Sequence, residues 1–162
     1  ERAGLGLAED ICERLRLSND ETRSLHKMVL CHLRPGYLAD NDCLTARAKF
    51  RYFRDSGPDA VSVLLLSVAD QRATKGPMTT KASRMRHEKI CFGLIKEYFR
   101  KNKEEKPRRL LNGDILMKEF KLKPSPLIGK MLSEIEESQA IGKIKTRQEA
   151  LASAKKIIRA KK

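Results

Sequence analysis

The side chains with the clearest chemical potential in this sequence are cationic. Arg47, Arg51 and Arg54 recur at i, i+4 and i+7 in the segment LTARAKFRYFRDSG, a spacing that sets three guanidinium groups along one side of a helix. Such a row could track the phosphates of a polyanion, or it could be a solvated, locally salt-bridged face. Lys118, Lys121, Lys123 and Lys130 surround Ser125-Pro126, where a helix should begin sharply. Ser is a favoured N-cap there, and Pro suits the first helical position because its missing N–H has no intrahelical partner. The free N–H groups and dipole of such a helix start favour an anion such as a phosphate. The plainer alternative is a helix corner with solvated lysines. Arg108 and Arg109 add two guanidinium groups just upstream. Two other residues carry ligand chemistry. His32 falls on an apolar helical stripe, where a histidine is either a hydrogen-bonded core residue or a metal ligand. Asp70 closes a strongly apolar run, where a carboxylate needs an ion-pair partner such as Arg72, a capping role or a metal.

Helices must position all of these groups. Leu5, Ala8, Ile11, Cys12 and Leu15 recur at helical spacing and predict a first helix ending near Leu17. Ser18-Asn19-Asp20-Glu21 is a capping box that restarts the helix. The second helix should bury Leu25, Met28, Val29 and His32 and stop before Pro35, with residues 36–42 as loop. Thr45 caps a third helix whose Ala46, Phe50 and Phe53 are expected to face inward. After Gly57-Pro58, Asp59 complements the start of a helix in which Val61, Val63, Leu64, Leu65, Leu66, Val68 and Ala69 predict burial on most sides. Gly76-Pro77 ends it, and a long helix over about 80–100 carries Cys91, Leu94, Ile95 and Tyr98 on one face. Asn112-Gly113-Asp114 opens a short helix burying Leu116, Met117 and Phe120. Beyond Ser125 come Ile128, Met131, Leu132 and Ile135, a glycine stop at Gly142, and a second capping start at Thr146-Arg147-Gln148-Glu149 before a final helix burying Ala150, Leu151, Ala154, Ile157 and Ile158.

No segment alternates apolar and polar residues over a strand's length, so the fold class is all-α. The charged stretch KNKEEKPRR places a linker at 101–109, between a helical body at 1–100 and a small basic helical tail at 110–162. Thirty-five Lys and Arg against 21 Asp and Glu give a net charge of +14. Fourteen Lys and Arg against six Asp and Glu fall from position 108 onward, so the tail is the more basic part. This balance calls for a polyanionic partner, nucleic acid first and an anionic membrane surface second. No run of about 18 apolar residues is present to cross a bilayer. Cys12, Cys31, Cys43 and Cys91 show no C-x-x-C spacing and fit a reduced cytoplasm. Glycine-rich phosphate loops, paired carboxylates and Ser/His/Asp arrangements are lacking, so no active site is evident. Glu1 is not an initiator Met and a helical pattern begins at once, which points to a chain that starts inside a larger protein.

The ordered motifs LRLSNDE, CHLRP, LTARAKFRYFRDSG, LLLSVADQRATKG and LLNGDILMKEFKLKPSPLIGKML together resemble the C-terminal half of bacterial tRNA nucleotidyltransferases with an HD domain, a family of CCA-adding enzymes and related poly(A) polymerases. The resemblance implies an incomplete HD-like body followed by a tail, both helical, that hold the acceptor arm and elbow of tRNA. It also implies a separate N-terminal nucleotidyltransferase head with Mg2+ and ATP or CTP, and no cofactor in the present chain. ERAGLGLAEDI resembles the segment downstream of the Gly-His in the HD motif, so that histidine and the His-Asp pair would precede Glu1. His32 then matches a histidine of the family's HHLRP stretch, with Cys31 in place of its usual neighbour, and Asp70 matches the late aspartate. Relatives commonly carry Gly where Lys121 stands and Gly-Pro where Ser125-Pro126 stands.

The resulting expectation is a non-catalytic, RNA-binding part of a tRNA nucleotidyltransferase, acting in tRNA 3′-end maturation. Its phosphate contacts would be Arg47, Arg51, Arg54, Arg108, Arg109, Lys121, Lys123 and Lys130, with the helix start at Ser125. One alternative is the remnant of an HD-type metal-dependent phosphohydrolase, with His32 and Asp70 as ligands. Another is a structural or oligomerisation domain whose basic faces are neutralised by Glu134, Glu136 and Glu137.

Overall fold

The computed structural model describes residues 2–40, 44–76, 79–103 and 109–159. Cys43 and positions 104–108 of the expected linker lie outside the described residues. Every regular element among the described residues is helical, and the chain divides into two compact units, 1–104 and 105–162. The first contains α1 (Arg2–Leu15), α2 (Asn19–Cys31), α3 (Arg34–Asp40), α4 (Ala46–Ser56), a 3-10 turn (Gly57–Asp59), α5 (Ala60–Ala73) and α6 (Lys81–Lys103). The second contains α7 (Gly113–Phe120), α8 (Pro126–Ala140) and α9 (Arg147–Arg159). No helix among the described residues is long and apolar enough to cross a membrane.

The cap residues act as their types predict. Glu21 N–H donates to Ser18 Oγ at 3.3 Å while Ser18 N–H donates to the Glu21 carboxylate at 2.8 Å, so α2 starts in a reciprocal capping box. Thr45 accepts from Ala48 N–H at 3.1 Å, and Thr146 and Glu149 form the equivalent pair at α9. Three expectations need correction. Residues 36–40, expected as loop, belong to α3 with Pro35 buried in its first turn, whereas α2 ends at Cys31, before Pro35 as expected; residues 41–42 lie outside the described residues. A proline in a first turn sacrifices no intrahelical bond, so it opens the next helix. In α4 Phe53 packs against the core as expected and Phe50 is half-buried, but the buried positions are Tyr52 and Ser56 and Ala46 is exposed; the Tyr52 hydroxyl donates to the Ala60 carbonyl at 2.7 Å. In α5, Ala60, Val63, Leu64, Ser67 and Val68 are buried, but Leu65 and Leu66 are exposed, so its apolar surface exceeds what its neighbours cover.

In α1, Ala8 and Cys12 are buried against α2 while Leu7, Ile11 and Leu15 remain exposed. The small residues set the approach: a Cβ on Gly4 would lie 3.4 Å from Val29 Cγ1. The core of the first unit gathers Cys31, Tyr52, Ala60, Val63, Leu64, Val68, Cys91 and Leu94. Helix α6 continues to Lys103, past the expected start of the linker, because Lys101 pairs with Glu97 one turn earlier at 2.9 Å and Pro107 comes only later in the sequence. His87 is also on the buried face of α6, 2% exposed, with Nε2 3.1 Å from Ser67 Oγ. Burial lowers its pKa, opposed by the carboxylates of Asp40, Glu88 and Asp70. The folded state therefore favours neutral His87, and its contribution to stability holds above the ordinary histidine pKa of about 6.5 and is lost as pH falls through the lowered value. Thermal melts between about pH 7.5 and pH 5 should show a fall in stability that is smaller in His87→Gln.

The second unit packs Leu111, Leu116, Ile128, Met131, Ile135, Ile144, Ala150 and Ala154 between its three helices. Gly142 ends α8 with φ +76°, and Lys143 N–H donates back to the Ser138 carbonyl at 2.9 Å.

Candidate nucleic-acid interface

In the first unit, the cationic side chains come together where α3 faces α4. A groove of about 320 Å3 is lined by Arg34, Tyr37 and Leu38 of α3, and by Thr45, Arg47, Ala48, Arg51 and Tyr52 at the start and inner turn of α4. Arg47 and Arg51 are both exposed and one helical turn apart, as their spacing predicts. Arg54 departs from the row. Its Nε donates to Asp55 at 2.8 Å and its guanidinium lies 5.9 Å from the Phe50 ring centroid, so it is held locally, away from the groove lining.

Arg34 enters the site without having been singled out by sequence spacing. Its guanidinium donates to Asp55 Oδ2 at 2.9 Å, so Asp55 orients Arg34 and Arg54 together. Part burial of Asp55 favours its neutral form, yet hydrogen bonds from the two arginines outweigh this and hold its pKa below the ordinary value. Arg34 bonds Asp55 and also the Cys31 side chain, and others of its five N–H donors remain for further acceptors. Tyr37, 63% exposed, presents an aromatic ring on the same face of α3. Reading residues 36–42 as loop concealed both residues; once 34–40 is helical, positions 34 and 37 are neighbours at i, i+3.

In the second unit, Asn112 caps α7 by accepting from Ile115 N–H at 2.9 Å, and Lys121 ends it in the left-handed region at φ +51°, ψ +42°. Lys121 N–H and Leu122 N–H both donate to the Met117 carbonyl, the Leu122 bond being 3.0 Å long. A lysine in this conformation carries a Cβ penalty that glycine lacks. Lys121→Gly should raise the stability of this unit by about 1 kcal/mol, measured as an increased denaturation midpoint at unchanged slope. Ser125 stands at the N-cap of α8 with Pro126 following, but its side chain makes no capping bond. The first turn of α8 thus lacks a side-chain cap, and Lys118, Lys121, Lys123 and Lys130 are all exposed around it.

The remaining candidates are dispersed. Arg109 pairs with Glu136 at 3.3 Å, while Arg108 lies outside the described residues. Of the other acidic residues that could neutralise this unit, Glu137 is buried and Glu134 is exposed. His32 is half-buried at the end of α2, with Nδ1 2.8 Å from the Val29 carbonyl, and Asp70 is exposed on α5. Arg72 pairs with Glu88 at 2.7 Å. Among the described residues, no three His, Cys, Asp or Glu side chains are grouped to hold a metal ion.

Known proteins share this sequence pattern. Residues 6–154 match the family profile described as tRNA nucleotidyltransferase domain 2. The chain is 30% identical over 155 residues to an A-adding tRNA nucleotidyltransferase of Deinococcus radiodurans, covering 94% of this chain and 33% of that protein. It is 27% identical over 156 residues to a CC-adding tRNA nucleotidyltransferase of Synechocystis, covering 96% and 34%. The chain thus spans about a third of the length of the curated relatives it matches. No solved structure gives a significant match.

Proposed function

The chain belongs to the tRNA nucleotidyltransferase domain 2 family, and from that membership we propose that it holds tRNA while another part of the protein adds nucleotides to the 3′ end. The observation that carries this reading is the α3–α4 groove, where Arg34, Arg47 and Arg51 line one concave surface. Guanidinium groups suit this task because each stays charged and offers a planar fork of donors to phosphate oxygens. Lys121, Lys123 and Lys130, with the first turn of α8, supply a second anion-binding surface on the other unit. Contacts of this kind recognise the backbone and shape of the acceptor arm and elbow and carry little base specificity. The chain's own residues bind and orient; Mg2+ and ATP or CTP would be used by a nucleotidyltransferase head outside this chain, on cytoplasmic tRNA.

Titrating tRNA at two salt concentrations tests the proposal. Six phosphate contacts should weaken binding on the order of thousand-fold between about 50 and 200 mM salt. Absence of binding at the lower concentration, or affinity indifferent to salt, would overturn it.

A further inference from the structure

We infer that the groove between α3 and α4 seats one unpaired RNA nucleotide, with its base stacked on Tyr37 and its flanking phosphates held by Arg34, Arg47 and Arg51. This deepens the tRNA-binding reading and rests on it.

The three tyrosines have different environments. Tyr52 is buried and bonded to Ala60, and Tyr98 packs among Phe53 and Phe99 with centroids 6.1 and 5.6 Å away. Tyr37 is 63% exposed. One exposed aromatic ring is ordinary on a protein surface; this one shares a groove with three arginines. Backbone recognition of a duplex needs cations and shape, whereas a ring beside cations is the composition that grips single strands, since every base has a face to stack. Size agrees. About 320 Å3 lies at the small end of ligand clefts and is enough for a single nucleotide. The site is also partly organised beforehand: Arg34 is fixed by Asp55 at 2.9 Å, and Arg34 and Tyr37 occupy successive turns of the same short helix face. An extended strand entering the groove would lay a base on the ring while adjacent phosphates meet guanidinium groups from both walls.

The probes are an oligoadenylate of about eight nucleotides, its duplex with the complementary RNA, and AMP. Because the sequence has three tyrosines and no tryptophan, tyrosine emission reports stacking directly. The single strand should quench part of the emission of the unaltered chain. Tyr37→Ala should weaken single-strand binding roughly five- to hundred-fold and leave duplex binding within about two-fold. Tyr37→Phe should keep the affinity but remove the quench. Equal weakening of both RNAs in Tyr37→Ala, or no weakening of either, overturns the stacking role while leaving the tRNA-binding proposal intact. AMP that binds as tightly as the oligonucleotide replaces the RNA occupant with a free nucleotide and also overturns the inference. An unaltered chain that binds neither RNA at low salt overturns the tRNA-binding proposal itself.

Discussion

Replacing Arg47 and Arg51 together by alanine should weaken tRNA binding roughly ten- to hundred-fold at low salt and reduce the steepness of the salt dependence by about two. Each guanidinium that leaves a phosphate returns a counterion to the RNA, so slope and affinity should fall together. Both residues are exposed on α4, away from its buried Tyr52–Ser56 side, so the double variant should still fold, checked by its helical circular dichroism. Arg54→Ala is the informative companion. It belongs to the same sequence row but does not line the groove, and its Nε donates to Asp55. Its loss should alter the salt slope by much less than one. Equal effects at all three positions would mean that the row acts as a diffuse positive field with no defined groove.

Leu116→Ala should cost about 2–5 kcal/mol, because Leu116 is wholly buried in the second unit and its truncation leaves a cavity between α7 and its neighbours. A unit of fewer than sixty residues has only a few kcal/mol to lose. The substitution should therefore unfold much of residues 105–162 at room temperature, seen as loss of one unfolding transition while that of the first unit persists. The lysines around Ser125 would lose their arrangement, so tRNA affinity should also fall. Retained affinity would place the RNA contacts in the first unit alone.

The helical fold was largely legible because its boundaries rest on local chemistry. Ser18 with Glu21, Thr45, Asn112 and Thr146 with Glu149 cap the helices they precede, each through a bond between residues three apart. Gly142 and the left-handed Lys121 end helices for the same local reason. What escaped was rotation and tertiary placement. The pattern of α4 did not disclose that Tyr52, bonded to the Ala60 carbonyl, would be buried and Ala46 exposed. The apolar run of α5 could not say which of its leucines a neighbour would cover. Pro35 reads as a stop in sequence, yet it sits inside a first turn, and that single reversal hid Arg34 and Tyr37. His87 fell outside the apolar face read for α6 because a neutral, hydrogen-bonded histidine can occupy a core position that composition assigns to a charged residue.

If tRNA sits on the two basic surfaces proposed for it, the α3–α4 groove and the α7–α8 corner, contact should slow local opening of the backbone it covers. Amide hydrogen exchange of the chain, recorded with and without saturating tRNA, reads this residue by residue. Slowed exchange is expected at residues 34–40, 44–51 and 118–130, and added salt should reverse it. Protection confined to the exposed Met85, Phe92 and Phe99 side of α6, or no protection at saturating tRNA, would contradict the proposed placement.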